Sequence, residues 1–428
     1  LGSLIDKHLL RRLEEREGRP RYVMLETIRE YAGEKLLASG DDARVRDRHS
    51  SWFLRLVEEA EPGLVGPEQA EWLRRLEADH DNLRAALDWA LESRNVEGSL
   101  RFVAALWWFW VMRGYLNEAR VRLARALSQP GVEAWPLLRA KALNVSASLA
   151  RRQGDFDRAR SIYEESLALS RQLGDKEVLA YALGGQGYVL LQQGDAAAAR
   201  LLFEECVAIR RELGDLGGVS AALRGLGYAV LQQGDYSTAS SLFHECLEID
   251  TKLGDKWAVV QSLTSLGEIA RLKGEYAQAR TWNEQGLALC QELGEKVETA
   301  TILHNLGQVA LAQGDVQAAR AFLIESLNLH LEMGTRSHIP TSLAGLAGVA
   351  GAGGVARRAV RLIGASEALV ELMGVPLDYA DRAVFDQTVA AARGHLDKAA
   401  FEAARAEGRA MGVEEAVAYA LEEEGRET

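Results

Sequence analysis

Few residues of this chain are of types that do chemistry, and their spacing suits none. Of the eight histidines, only His304, His330 and His338 lie near one another in sequence. None shares with another the HxxxH spacing that sets two metal ligands on one helix face. His244-Glu245 opens like a zinc-protease helix, but the second histidine is missing. Cys206, Cys246 and Cys290 are too far apart for a CxxC ligand pair, and so odd and sparse a set offers no disulfide framework. Gly351-Ala352-Gly353-Gly354-Val355-Ala356 fits the GxGxxG/A dinucleotide pattern, with Glu371 downstream, yet no strand-like run precedes it. A GxxxxGKS/T phosphate loop occurs nowhere. No nucleophile, base and orienting group converge, so the expectation is a binding protein, not an enzyme, with no cofactor or metal of its own.

Composition points the same way. The 428 residues carry 50 Lys and Arg against 62 Asp and Glu, a net charge of -12, which disfavours nonspecific contact with nucleic acid or membrane. With 48% hydrophobic and 26% charged residues, the chain has the balance of a soluble globular protein. The sparse cysteines and a start, LGSLIDKHLL, without a basic and apolar leader pattern make a cytoplasmic location the expectation. The longest uncharged stretch, Ile339 to Ala356, is nearly long enough to cross a bilayer, but five glycines keep it weakly apolar and no span is expected.

The elements that must position any binding residues follow from a repeat. Glycine followed by an acid recurs every forty residues at Gly154-Asp155, Gly194-Asp195, Gly234-Asp235, Gly274-Glu275 and Gly314-Asp315. A second series, Gly174-Asp175, Gly214-Asp215, Gly254-Asp255 and Gly294-Glu295, falls halfway between. Glycine can end a helix in the left-handed conformation, and the acid after it can cap the next. No proline stands between Pro136 and Pro340, and apolar residues such as Leu223, Leu226 and Val230 keep helical spacing. Each unit is therefore two helices of roughly 18 residues, rods of about 27 Å that must stack side by side.

Within each unit the residues resemble the tetratricopeptide repeat (TPR). In the fourth copy they are Leu223, Leu226, Gly227, Gly234, Tyr236, Ala239, Phe243 and Cys246. Gly227 recurs as Gly187, Gly267 and Gly307, where a missing side chain lets helix B approach helix A, and Ala239 recurs as Ala159, Ala199, Ala279 and Ala319. The unit is forty residues instead of the usual thirty-four. Weaker copies lie at Gly114, with Ala119 and Leu123, at Gly354, with Ala359 and Ile363, and at Gly394, with Ala399. The expected fold is all-α: a TPR-type α-solenoid superhelix of seven to eight helical hairpins over residues 98–411, closed by a helix from Val413 to Glu424 within 412–428. Trp107 takes the place of the interlocking glycine in the first unit, in the run Leu106-Trp107-Trp108-Phe109-Trp110.

Residues 1–35 read differently, as a helix end at Leu4 to His8, a hairpin about Glu17-Gly18-Arg19-Pro20 and a helix from about Glu26. Leu4, Asp6, Lys7, Leu9, Leu10, Arg21, Tyr22, Met24, Leu25, Glu26, Thr27, Ile28, Arg29, Glu30 and Tyr31 look like the closing part of the winged helix of STAND proteins, the signal transduction ATPases with numerous domains. In the linker 36–97, Glu71 to Glu92, with Asp81-Asn82-Leu83 and Trp89, is similar to the helical arm of that family. By its own spacing, Leu76, Leu83, Leu87 and Leu91 form an apolar stripe suited to burial against Trp107 and Trp110, and Pro62 and Pro67 break the preceding helix. The resemblance implies that this chain is a C-terminal portion. It also implies ATP or ADP and Mg only in an upstream nucleotide-binding domain, and repeats that sense an inducer while the arm relays its binding. Arg11, Arg12, Arg16, Arg19 and Arg21 make the wing basic, but Glu14, Glu15 and Glu17 interrupt the charge, and a solvated or interdomain surface is the expectation.

Register fixes the inner face of helix A. Successive copies place Lys141, Asn144, Ser148 and Arg151 there, then Tyr181 and Tyr188, Arg224 and Tyr228, Gln261, Thr264, Glu268 and Arg271, and Thr301, His304 and Gln308. Lys141, Arg151, Arg224 and Arg271 oppose only Glu268 in this set, so the groove is expected to be locally basic and to dock a protein or peptide bearing acidic or hydrogen-bonding groups. The alternative reading is a free-standing TPR scaffold or peptide receptor.

Overall fold

A computed structural model describes residues 2–13, 21–374, 377 and 379–422. At the N-terminus α1 (Gly2–Asp6) leads into an antiparallel pair, β1 (Leu10–Leu13) and β2 (Arg21–Met24), with Leu10 opposite Met24, and then α2 (Glu26–Ser39). The turn expected at Glu17-Gly18-Arg19-Pro20 lies outside the described residues, as do Glu14, Glu15 and Arg16, and Arg11 and Arg12 are exposed on β1. The arm is α3 (Asp42–Ala60), α4 (Gln69–Ala78) and α5 (His80–Glu92), with a 3-10 turn over Glu61–Leu64 at Pro62. Leu76, Leu83, Leu87 and Leu91 share one buried core with Trp107 and Trp110. These tryptophans belong to the first repeat, α6 (Val96–Ala105), α7 (Trp107–Arg113) and α8 (Leu116–Leu127), whose first helix is interrupted at Leu106.

The regular pairs follow. They are α9 (Pro136–Arg152) with α10 (Phe156–Leu173), α11 (Lys176–Gln192) with α12 (Ala196–Leu213), and α13 (Leu216–Gln232) with α14 (Tyr236–Leu253). Then come α15 (Lys256–Leu272) with α16 (Tyr276–Leu293), α17 (Lys296–Ala312) with α18 (Val316–Met333), and α19 (Ile339–Ala352) with α20 (Ala356–Met373). One turn explains the punctuation. Gly154 takes φ +81°, the Asp155 amide donates to Ala150 O at 2.9 Å to close α9, and the Asp155 carboxylate accepts from the Arg158 amide at 3.2 Å to open α10. The two glycine-acid series thus mark the turns from α9 to α18, and Gly334 and Gly354 make the same left-handed turn without the acid. The chain is an all-α solenoid of TPR-type hairpins.

The glycine inside helix A makes room for a side chain of helix B, and at Gly307, where a Cβ would also lie 3.3 Å from Ala319 O, for its backbone. A Cβ on Gly187 would meet the Phe203 ring at 2.8 Å, and one on Gly227 would meet the Phe243 ring at 2.7 Å. Cys206 and Cys246 donate to Ala180 O and Ser220 O from buried positions, and burial pushes the Cys246 thiol up to about 11, so they are core groups.

The last copy departs from the expected register. Gly394 lies inside α21 (Tyr379–His395), and the next helix, α22 (Lys398–Arg409), starts from an Asp397 cap. α21 and α22 meet near their shared corner, where Arg393 lies over the Phe401 ring at 5.2 Å and Ala392 packs with Phe401, and they do not form a regular hairpin. Instead α22 crosses α20 at Gly364 and Gly408, where a Cβ on Gly408 would lie 1.9 Å from Arg361 O, and α23 (Val413–Leu421) closes the end. The backbones approach because both crossing residues are glycine, and that contact overrides the repeat register. The 351–356 motif is the corner between α19 and α20, a helix turn with no strand before it. No helix is long and apolar enough to cross a membrane among the described residues.

Between α18 and α19, His330 stacks on His338 with centroids 4.5 Å apart and planes 9° apart, and its Nδ1 lies 3.0 Å from Thr335 Oγ1. Burial first, then repulsion from His338 and His304, pushes the His330 pKa down to about 3. The unfolded chain protonates this imidazole near 6.5, so between about 6.5 and 3 the unfolded state holds more protons and stability falls as pH falls. Denaturant midpoints at pH 7 and pH 5 are expected to differ less in His330→Gln than in the wild type; an equal difference would contradict this.

Candidate partner-binding groove

Because each hairpin turns its A helix inward, α9, α11, α13, α15 and α17 bring the row chosen by register onto one concave wall. In α9, Asn144 Nδ2 donates to Val178 O at 3.1 Å, tying copies together, and Ser148 Oγ lies 2.7 Å from the buried Tyr163 hydroxyl and 3.4 Å from that of Tyr181. The Arg151 guanidinium lies over the Tyr188 ring at 5.2 Å, and Tyr188 meets Phe203 edge-on at 5.1 Å. Tyr228 bonds Ser265 at 2.8 Å and packs on Phe243. Thr264 and Thr301 return their hydroxyls to Val260 O and Val297 O, within their own helices. His304 Nε2 lies 3.2 Å from Gln308 Nε2 and 2.9 Å from Asp381 Oδ1, so α21 reaches into the row.

The electrostatics differ from the expectation that Glu268 alone opposes the cations. Arg224 is held by a residue of helix B: its Nη2 lies 2.9 Å from Asp250 Oδ2, both side chains being under 10% exposed. The oxygen also accepts from Ser262 at 2.8 Å. Arg224 Nη1 donates to Gln261 Oε1 at 3.1 Å, and Gln261 donates on to Glu298 at 3.3 Å. Burial raises the Glu298 pKa. Lys141 faces Glu61 of the 3-10 turn, whose pKa is raised by burial first and lowered by Lys141. The wall is therefore mixed in charge, and Arg224 is a structural cation. Arg271 is different: it is buried, and its guanidinium has no hydrogen-bond or ion-pair partner among the described residues.

Two inner contacts and one electrostatic attraction join copies nearly four repeats apart. Trp108 of α7 meets Trp257 of α15 edge-on at 5.7 Å. Arg152, which lies over the Trp107 ring at 5.9 Å, sits in the field of Glu298. The Tyr236 hydroxyl is 3.3 Å from that of Tyr379. Each links the inner face of helix A or the A–B corner of one copy to the start of helix A four copies on, which makes the groove narrow enough to be bridged by side chains. Arg152 is open to solvent, yet the surrounding walls desolvate it and lower its pKa, with Arg151 adding repulsion. Trp108, Arg152, Trp257 and Glu298 were absent from the row chosen by register, because their meeting depends on superhelical curvature. The signal available was Trp257 itself, an aromatic where the other copies have Glu177, Gly217 and Val297.

Along this wall, buried polar atoms lack partners: Trp108 Nε1, Asn144 Oδ1, Arg151 Nε, Arg224 Nε, Arg271 Nε and Gln308 Oε1. Leaving such a group unpaired costs about 1 to 3 kcal/mol, so a row of them suits a ligand that supplies the missing donors and acceptors. A separate hollow of about 290 Å³, lined by His244, Lys273 and Trp282, opens where Ser240 stands in place of Arg160, Arg200, Arg280 and Arg320 of neighbouring copies. No group of three or more His, Cys, Asp or Glu is placed to hold a metal among the described residues.

A tetratricopeptide repeat family model matches residues 138–212, 218–292 and 258–332. Proteins of Mycobacterium bovis and Mycobacterium tuberculosis, named provisionally as HTH-type transcriptional regulators, are 30% identical over 194 residues, 44% of this chain. The chain spans only 22% of the length of those relatives. Among solved structures, a STAND protein with a tetratricopeptide repeat sensor from Pyrococcus horikoshii is 16% identical, with 95% of this chain and 60% of that one covered and a TM-score of 0.49. A Rap protein complexed with competence and sporulation factor is 13% identical over 69% of this chain and 94% of its own, with a TM-score of 0.46. BtubC of P. vanneervenii is 22% identical over 57% of this chain and 92% of its own, with a TM-score of 0.40.

Proposed function

We propose that this chain is the inducer-sensing portion of a STAND-type signalling regulator. It binds a protein or peptide along the inner wall of its solenoid and passes that binding through the arm to a nucleotide-binding domain encoded outside these residues. The observation that carries the binding reading is the row of unpaired buried polar atoms, with the partnerless Arg271 in it. TPR repeats are themselves protein-interaction modules, and nothing in the wall assembles a catalytic group. The relay is supported by the arm's place in the groove: Glu61 faces Lys141, and Trp108 sits on a helix whose neighbours Trp107 and Trp110 share the arm's core. The N-terminal elements leave Val23, Leu25, Tyr31 and Leu37 exposed, an apolar surface suited to a further domain. The names of the mycobacterial relatives favour transcription as the output, and a cytoplasmic regulator fits the cysteine usage.

The test is affinity capture from the native extract followed by titration of the identified partner. Arg271→Glu is expected to weaken binding by more than about 2 kcal/mol, with Arg271→Met as the charge-free variant of matched length. Unchanged affinity in both would remove the groove assignment.

A further inference from the structure

The C-terminal half of the groove already holds a piece of this chain. α22 takes the seat on α20 that a following A helix would occupy, with Gly364 and Gly408 at the crossing. That leaves α21 to lie along α19, whose Gly348 and Gly351 face Thr388 at 3.6 and 3.7 Å from where a Cβ would stand. The small residues of α19 let α21 approach α17 across it. Asp381 reaches His304 two copies back at 2.9 Å and is itself 5% exposed, while the Tyr379 hydroxyl meets that of Tyr236 at 3.3 Å. Beside them Gln308 Oε1 remains unpaired.

We propose that the first turn of α21 is an intramolecular ligand of the groove, and that a partner binds this half by displacing it with an acidic segment that carries an aromatic hydroxyl. The proposal rests on the groove reading above and names its ligand chemistry. The occupant offers a carboxylate to an imidazole and a phenol to a phenol, two residues apart on one helical turn. The rest of the wall has cations for an acidic ligand in Arg271, Arg151 and Arg152. The segment is also built to part from its seat. Phe385 anchors it in the C-terminal core at 5% exposure, whereas Tyr379, one turn and a half earlier, is 38% exposed. Lifting the first turn breaks the Asp381–His304 and Tyr379–Tyr236 contacts and uncovers the small side chain of Ala380, and it leaves the Phe385 anchor in place.

The probe is a fluorescein-labelled synthetic peptide with this chain's own sequence from Tyr379 to Ala392, titrated into the full chain by fluorescence anisotropy. Competition with the tethered copy lowers apparent affinity by the fraction of chains whose groove is open. Tyr379→Ala with Asp381→Ala is expected to bind the peptide about tenfold more tightly than the wild type. Adding His304→Ala to that pair should abolish the gain. Equal affinity in wild type and double variant, or a gain that survives His304→Ala, would overturn the proposal. Should the double variant fail to fold, hydrogen exchange in the wild type decides: saturating peptide should speed exchange at the amides from Tyr379 to Val384, and unchanged exchange would refute displacement. These readouts use no natural partner. If a captured partner binds elsewhere while the peptide still competes with α21, the groove reading fails alone.

Discussion

Arg224→Ala is expected to destabilise the fold by about 3 to 5 kcal/mol, measured as a lower denaturant midpoint at unchanged slope. The guanidinium and the Asp250 carboxylate are both buried, and removing one leaves the other as an uncompensated charge. Asp250→Ala should cost a similar amount. Arg224→Met combined with Asp250→Leu should recover most of the loss, because two well-packed apolar side chains avoid the desolvation of both ions. A normal midpoint in Arg224→Ala would mean that the pair carries no structural weight, and Arg224 would return to the list of residues free to meet a ligand.

Phe203→Ala is expected to cost about 3 to 5 kcal/mol and, more tellingly, to divide unfolding into two transitions. The fully buried ring fills the space left by Gly187 in its own hairpin and by Gly225 in the next, where added Cβ atoms would lie 2.8 and 2.2 Å from it. It is thus both an intra-repeat and an inter-repeat contact. In a solenoid most of the packing on each copy comes from its neighbours, and across this joint only the Trp108–Trp257 contact and the Arg152–Glu298 attraction bridge the groove among the described residues, so a weak joint uncouples the copies on either side. Hydrogen exchange should then show α9 to α12 opening separately from α15 to α20. A single transition at the wild-type midpoint would contradict the nearest-neighbour account.

Much of this was legible from residue types at fixed intervals. The forty-residue stride, the glycine-acid corners and the inner positions of helix A are all local properties, set by backbone conformation and helical periodicity, and they suffice for the solenoid. What local pattern could not supply was partnership. Asp250 stands at a helix B position that holds Ser170, Arg210, Cys290 and His330 in other copies, so nothing in the register announces that Arg224 is neutralised there. The meetings of Trp108 with Trp257 and of Tyr236 with Tyr379 arise from curvature summed over four copies, which no single repeat encodes. Gly394 misled in the opposite sense: a glycine on the register carried no turn, because the glycine crossing of α20 and α22 decided the packing at that end.

These contacts narrow what a partner can be. It must fit a channel bridged by side chains, offer acceptors to Arg271 and a donor to Gln308, and tolerate or displace α21. An extended or helical peptide segment meets those demands more readily than a rigid globular surface.

The central claim is that partners enter this channel, and photocrosslinking tests it most directly. A benzophenone amino acid is placed in the channel at Gln261, and in a second variant on the exposed face of α12 at Glu204. Each is irradiated with the captured partner. The account predicts a covalent adduct from position 261 and none from position 204. Adducts from position 204 alone would contradict it.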